Sequence, residues 1–181
     1  NAWDNWLYPW LDSPPQTNEV GRSAALMAGL MVAAQRLAMP VELLELGSSA
    51  GLNLNLDRFR YNMGGLEAGP ADAAVCIAPE WKGNSPDGKW PQIVARCGVD
   101  QNPLDVRDKA IAARLLAYCW PDQHDRLARL EAAIATARAY PPAVEAGDAA
   151  DWIEHKLAEP QSAGIARIIM HSVFWQYLPS D

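Results

Sequence analysis

Over the first third of the chain the apolar positions change period more than once, and each change marks an element. Between residues 18 and 37, Val20, Ala24, Met27, Met31 and Ala34 fall on one helical face. So few polar residues oppose them that most of this helix must be covered, and Pro40 ends it. Residues 41–46 (VELLEL) are apolar except for Glu42 and Glu45, which predicts a strand covered on both faces, as in a parallel sheet. The LNLNLD run that follows alternates with period two. It comes directly after a glycine turn that has closed a strand, however, and Leu52, Leu56 and Phe59 share a helical face, so helix is predicted. Upstream, Trp3, Trp6 and Trp10 recur at helical spacing and, with Tyr8, predict packing or a lid over a site. Ser13, an early proline and Gln16 at the capping-box position place a helix entry nearby, with Thr17 or Asn18 as competing caps.

The remaining pattern alternates strand and helix. Residues 62–91 contain GG, GP, SPDG and two tryptophans, which predicts an irregular insertion with a short hairpin around 74–77. A second strand is expected at 93–99 (IVARCGV) and a helix at 108–118. A second amphipathic helix carries Leu127, Leu130, Ile134 and Ala137 and ends before Pro141-Pro142. A short strand at 143–146, a helix at 150–157 and a strand at 166–171 (ARIIMH) complete the series. This order implies an α/β fold, a doubly wound and mostly parallel sheet behind a helical segment at 1–40, all within one domain spanning 1–181. Ligands of such sheets bind beyond the carboxyl ends of the strands. Residues 47–51, Asp100, Asp148 and the pair His171-Ser172 stand there.

Composition narrows the partners. The chain has 181 residues, half of them apolar, enough for one well-buried domain. Lys and Arg number 15 against 22 Asp and Glu, a net charge of −7, and no stretch interleaves cations with aromatics; a nucleic-acid partner is not expected. Cys76, Cys97 and Cys119 are odd in number and lack metal-site spacing, which predicts reduced thiols, a cytoplasmic location and no bound metal. The most apolar stretch, 24–34, falls short of the roughly 20 residues of a membrane span, so no membrane segment is expected. The first residue is Asn1, not methionine, which suggests a piece of a longer chain.

The turn Gly47-Ser48-Ser49-Ala50-Gly51 fits two chemistries. One is G-x-S-x-G, an elbow exposing Ser49 as a nucleophile, with Asp148 and His171 following in the order Ser, Asp, His of a serine hydrolase. Against it, the elbow of that fold follows several strands and an oxyanion loop with upstream glycines, and here only helices precede it. The other is a cradle in which glycines let the backbone approach a cofactor. Glu45-x-Gly47-x-x-x-Gly51 resembles the first motif of class I S-adenosylmethionine-dependent methyltransferases, with Ser49 where a middle glycine is frequent. The resemblance implies a Rossmann-like, methyltransferase-like fold. It also implies cofactor contacts from Glu45, Gly47, Ser49, Gly51 and Asn53, a ribose acceptor at Asp100, an adenine acceptor at Asp148, and His171 as the group taking a proton from a methylated nucleophile. A dinucleotide fits less well, because G-x-G-x-x-G is absent and the acidic residue comes too late after the turn.

Five blocks, TNEVGRSAAL (17–26), LLELGSSAGLNLNLDRFRY (43–61), GVDQNPLDV (98–106), WPDQHDRLARLEAAI (120–134) and HSVFWQYLP (171–179), together resemble an uncharacterised bacterial family, domain-of-unknown-function family 2332. That family brings no established reaction, and its members extend further on both sides. The sheet is therefore expected to stop after its fourth strand, leaving an open edge beside 166–171 for missing segments or for a second copy in a homo-oligomer. HSVFW stands where an Asn/Asp-Pro-Pro-Tyr motif would be expected, which favours an unusual substrate or a non-catalytic interaction or regulatory domain.

Plainer roles compete at each position. Gly47 and Gly51 suit any tight strand-to-helix turn, Asp100 an Asx turn before Asn102-Pro103, and Asp148 the cap of the next helix. His171 suits a satisfied structural histidine. Thr17, Asn18, Glu19 and Arg22 form a polar cluster facing either the cofactor mouth or an ordinary cap and salt bridge, and Ser172 and Trp175 complete the possible lining.

Overall fold

A computed structural model describes residues 15–177 together with Tyr8 and Leu11. The tryptophan-spaced helix and the Ser13 entry lie outside the described residues. In chain order the elements are a 3-10 turn (Val20–Arg22), α1 (Ser23–Leu37), β1 (Val41–Leu46), a 3-10 segment (Leu52–Arg58), β2 (Arg60–Met63), β3 (Leu66–Ala68) and β4 (Cys76–Ile77). They continue with β5 (Ile93–Asp100), α2 (Lys109–Ala117), α3 (His124–Ala139), β6 (Val144–Ala146), α4 (Ala149–Ala158), β7 (Ala166–His171) and a 3-10 turn (Phe174–Tyr177).

Four strands form a parallel sheet in the order β6-β5-β1-β7. Chain order therefore runs outward from β1 through β5 to β6, then returns to place β7 on β1's other side. Alternation along β1 splits its side chains between two layers. Val41 and Leu43 enter the larger core with Met27, Leu30 and Met31 of α1 and Ile134 and Ala137 of α3. Leu44 joins a smaller cluster with Val99 and Trp152 of α4. Helices thus cover both faces, and Glu45 shares the face of Val41 and Leu43. Among the described residues, no helix is long and apolar enough to cross a membrane.

Three expectations are corrected. The first helix begins later than the capping signals suggest: Gln16, Thr17 and Asn18 lie outside regular structure, and Glu19 caps the 3-10 turn by accepting from the Gly21 N–H at 2.9 Å. Gln16 and Asn18 find partners across the sheet end instead. LNLNLD is helical as expected, but of the 3-10 type rather than α, with a kink at Asn55 (φ −95°, ψ 16°). Leu52, Leu54 and Leu56 are all fully buried, which no single α-helical face accommodates. Finally, the hairpin of the insertion is β2 with β3, turning through Gly64-Gly65, while residues 76–77 pair parallel to β2. The two-glycine turn between alternating residues was the stronger hairpin signal.

Candidate functional site

Leu46 is the last β1 residue paired on both sides, with Val99 of β5 and His171 of β7. The chain at Gly47 therefore emerges between the ends of two strands, where the order of the sheet reverses. Gly47, Ser49 and Gly51 hold φ of 67°, 55° and 66°. A serine in that region costs about 1 kcal/mol, so the turn must be fixed by its bonds. The Ser48 N–H donates to the Val99 carbonyl at 3.0 Å, and the Gly51 N–H to the Ser48 carbonyl at 2.8 Å. The Ser48 hydroxyl donates to the Glu45 carbonyl at 2.8 Å. Gly98 makes room for that hydroxyl, because a Cβ there would lie 2.0 Å from Ser48 Oγ.

Asp100 ties this turn to the rest of the site. Its Oδ2 accepts from the Ser49 N–H at 2.8 Å, and its Oδ1 from the Asn102 N–H at 2.9 Å and the Gln16 amide at 3.2 Å. Gln16 also donates to the Asn102 carbonyl at 3.0 Å. Two residues on, Asn18 Oδ1 accepts from the Leu52 N–H at 2.9 Å, so the segment before the first turn crosses the carboxyl end of the sheet and pins both ends of the cradle.

Beneath the turn lie polar side chains with nothing to bind. Glu45 and Asn53 are 1% and 0% exposed and Ser49 is 4% exposed. Glu45 Oε2, Ser49 Oγ and both amide atoms of Asn53 have no hydrogen-bond partner. Burial pushes the Glu45 carboxyl up to about 8; the Asn53 amide beside it pulls the other way without completing a hydrogen bond, and the Asp100 charge adds to the rise. Unpaired buried polar groups cost on the order of 1–3 kcal/mol each, which makes Glu45, Ser49 and Asn53 the candidate site residues.

The other candidates surround this centre at different distances. Asp148 lies beyond β6 and caps α4, its Oδ1 accepting from the Ala150 and Asp151 N–H groups. The neighbouring Gly147 N–H reaches the Asp100 carbonyl at 3.1 Å. His171 is exposed, its ring edge-on to Phe174 and stacked at 28° on Trp175, both at 6.2 Å between centroids. Ser172 is half-buried beside them. Thr17 is exposed, and Arg22 sits half-buried at the start of α1 with no side-chain cap bond. Glu19 turns away from the cradle to Arg126 and Arg129 of α3; burial alone would raise its carboxyl, but the Gly21 N–H and the two guanidiniums hold it below the ordinary value. The serine-hydrolase constellation is not assembled, since Ser49 Oγ has no hydrogen-bond partner and Asp148 is engaged as a cap.

Gln16, Gly98 and Phe174 join the site without having been singled out for it. A glycine inside the IVARCGV strand is a general sign of a close approach and was available for Gly98. Gln16 and Phe174 act through contacts distant in sequence and left no local sign.

Residues 2–181 match the model of a family described as an uncharacterized protein conserved in bacteria, domain-of-unknown-function family 2332. The chain belongs to this family. Nothing matches it among curated proteins or among solved structures.

Proposed function

We propose that this family member is an S-adenosylmethionine-binding domain of Rossmann-like, methyltransferase-like fold. The observation that carries the reading is the group of buried, unpartnered polar side chains, Glu45, Ser49 and Asn53, under a turn at the carboxyl end of β1. Its position supports the same reading, because the β6-β5-β1-β7 order follows the third-second-first-fourth pattern of Rossmann sheets, whose ligands bind where the order reverses. The residues fit a nucleoside bearing an amino-acid arm. Gly47 brings backbone close to the ligand, Gly51 lets the end of the turn pack against Pro142 and Val144, and Glu45, Ser49 and Asn53 offer acceptors and donors out of water. When bound, the cofactor would supply an electrophilic methyl group.

The chain's own contribution begins with orientation. Asp100 spends its carboxylate on the Ser49 N–H, the Asn102 N–H and Gln16, so it holds the turn in shape and reaches a ribose only with its remaining acceptor capacity. Asp148 caps α4 through Oδ1 and faces the same end of the sheet. His171, exposed at the end of β7, is the group positioned to accept a proton from a nucleophile. Isothermal titration of the intact chain with S-adenosylhomocysteine should give a dissociation constant on the order of micromolar, with Asn53→Ala weakening it about tenfold by removing polar atoms that the bound ligand would pair. Absence of heat up to millimolar ligand on folded protein would overturn the reading.

A non-catalytic binding or regulatory domain is the second reading. The observation favouring it is the Phe174 ring, which lies against Gly47 where an accessible cradle would be open. Turnover assays against methyl acceptors separate the two, because this reading expects ligand binding with no methyl transfer.

A further inference from the structure

The segment leaving β7 takes an unusual path. Val173 holds φ of 62°, a left-handed conformation that a β-branched side chain adopts only under constraint. That conformation reverses the chain immediately after His171 and Ser172 and returns the Phe174 ring to the β1 turn. The contact is close: a Cβ built on Gly47 would lie 2.7 Å from Phe174 Cδ2. The ring therefore rests on the first glycine of the cradle, the position at which a missing side chain would otherwise admit a ligand to the backbone.

Among the described residues, few contacts hold this segment in place. Val173 is 38% exposed and Trp175 is 73% exposed, so neither gains core burial from the folded-back conformation. Among the described residues its contacts include Phe174 on Gly47 and the aromatic contacts of His171 with Phe174 and Trp175. On the far side of the turn wait the unpaired atoms of Glu45, Ser49 and Asn53. A strained residue, a ring over a glycine and unsatisfied polar groups behind it are the parts a two-state closure needs. Relaxation of Val173 to an extended φ would relieve the strain and lift Phe174 from the turn.

We infer that Phe174 is a latch closing the site over Gly47, sprung by the strain at Val173, and that a ligand enters the cradle only when the latch swings out. The inference rests on the cofactor-binding reading for the identity of its probe, though not for the closure itself. A latch closed most of the time lowers apparent affinity by the fraction of molecules that are open. Its two residues should consequently act in opposite directions. Phe174→Ala removes the obstruction, whereas Val173→Asn, which tolerates the left-handed region, removes the strain that favours opening.

Two measurements on the intact chain test this. In hydrogen–deuterium exchange without ligand, amides of residues 47–51 should exchange about tenfold faster in Phe174→Ala than in wild type and more slowly in Val173→Asn. In titration with S-adenosylhomocysteine, Phe174→Ala should bind about tenfold more tightly and Val173→Asn about threefold more weakly. Equal exchange across the three proteins would overturn the latch whatever the titrations show. The predicted exchange pattern with no binding by any variant would leave the latch standing and remove the cofactor reading. Tighter binding by Val173→Asn than by wild type would contradict the role assigned to strain.

Discussion

At Glu45 the sheet places a carboxylate where alternation with Val41 and Leu43 calls for an apolar side chain, and burial responds by holding the proton on. Burial pushes the group up to about 8 in the folded protein from an ordinary 4.5. Between those values the folded chain binds a proton that the unfolded chain has released. Stability is accordingly greatest at the acid end of this window, falls as pH rises through it, and levels off above the folded value, with a slope of at most about 1.4 kcal/mol per pH unit. Glu45→Gln keeps the shape without the charge, so its melting temperature should lose this component of the slope and exceed that of wild type above about pH 8. Thermal melts of the ligand-free chain across the window check this, and parallel curves for the two proteins would contradict it. The same residue shows what sequence could convey at this scale. Its spacing to Gly47 and Gly51 suggests a binding turn, but the unpartnered side-chain atoms of Glu45, Ser49 and Asn53 depend on how the 3-10 segment folds beside them. Asp100 was equally visible as a carboxylate at a strand end, while its engagement by Ser49, Asn102 and Gln16 required the tertiary structure.

Elements set by local chemistry match expectation, and those set by distant contacts depart from it. β1 and β7 have the expected bounds because their apolar runs are short and bounded by turn residues, and both lie within a sheet covered on its two faces. The start of α1 departs because Gln16, at a capping-box position, and Asn18, a candidate cap, have side chains drawn instead to Asp100 and Leu52. The 3-10 segment departs because its alternating leucines are all consumed by the core. Its entry is tightly packed: at Gly51, φ is 66° and a Cβ would lie 2.8 Å from both Pro142 Cγ and Val144 Cγ2. Gly51→Ala thus combines backbone strain with overpacking against the start of β6, and should cost about 2–4 kcal/mol. Chemical denaturation gives that number directly. A loss below about 0.5 kcal/mol would show that Pro142 and Val144 yield freely around the turn.

For the whole molecule, the important asymmetry is between the two layers flanking the sheet. One face carries α1, the 3-10 segment and α3 over a large continuous core, whereas the other meets α4 through Leu44, Val99 and Trp152 with a few half-buried neighbours. Polar bonds supplement that thin layer. The Trp152 indole donates to Glu145 Oε2 at 2.9 Å, Lys156 lies 3.2 Å from Glu145 Oε1, and Cys97 Sγ lies 3.2 Å from the same oxygen. Such partly exposed pairs add little, on the order of 1 kcal/mol together, so the α4 layer has less to hold it than the opposite face. Stability should therefore be uneven, with α4 opening below the global transition while β1, α1 and the cradle remain folded. Native-state hydrogen exchange in low denaturant should show amides of α4 exchanging through a partial opening at a free energy below that of α1. Trp152→Ala should lower that opening energy by about 3 kcal/mol while shifting α1 protection much less. Because Asp148 caps α4 and its neighbour Gly147 bonds to the Asp100 carbonyl, loosening this layer also releases the third strand end from the site. A ligand that engages Asp148 should restore α4 protection, and one confined to the β1 turn should leave it unchanged.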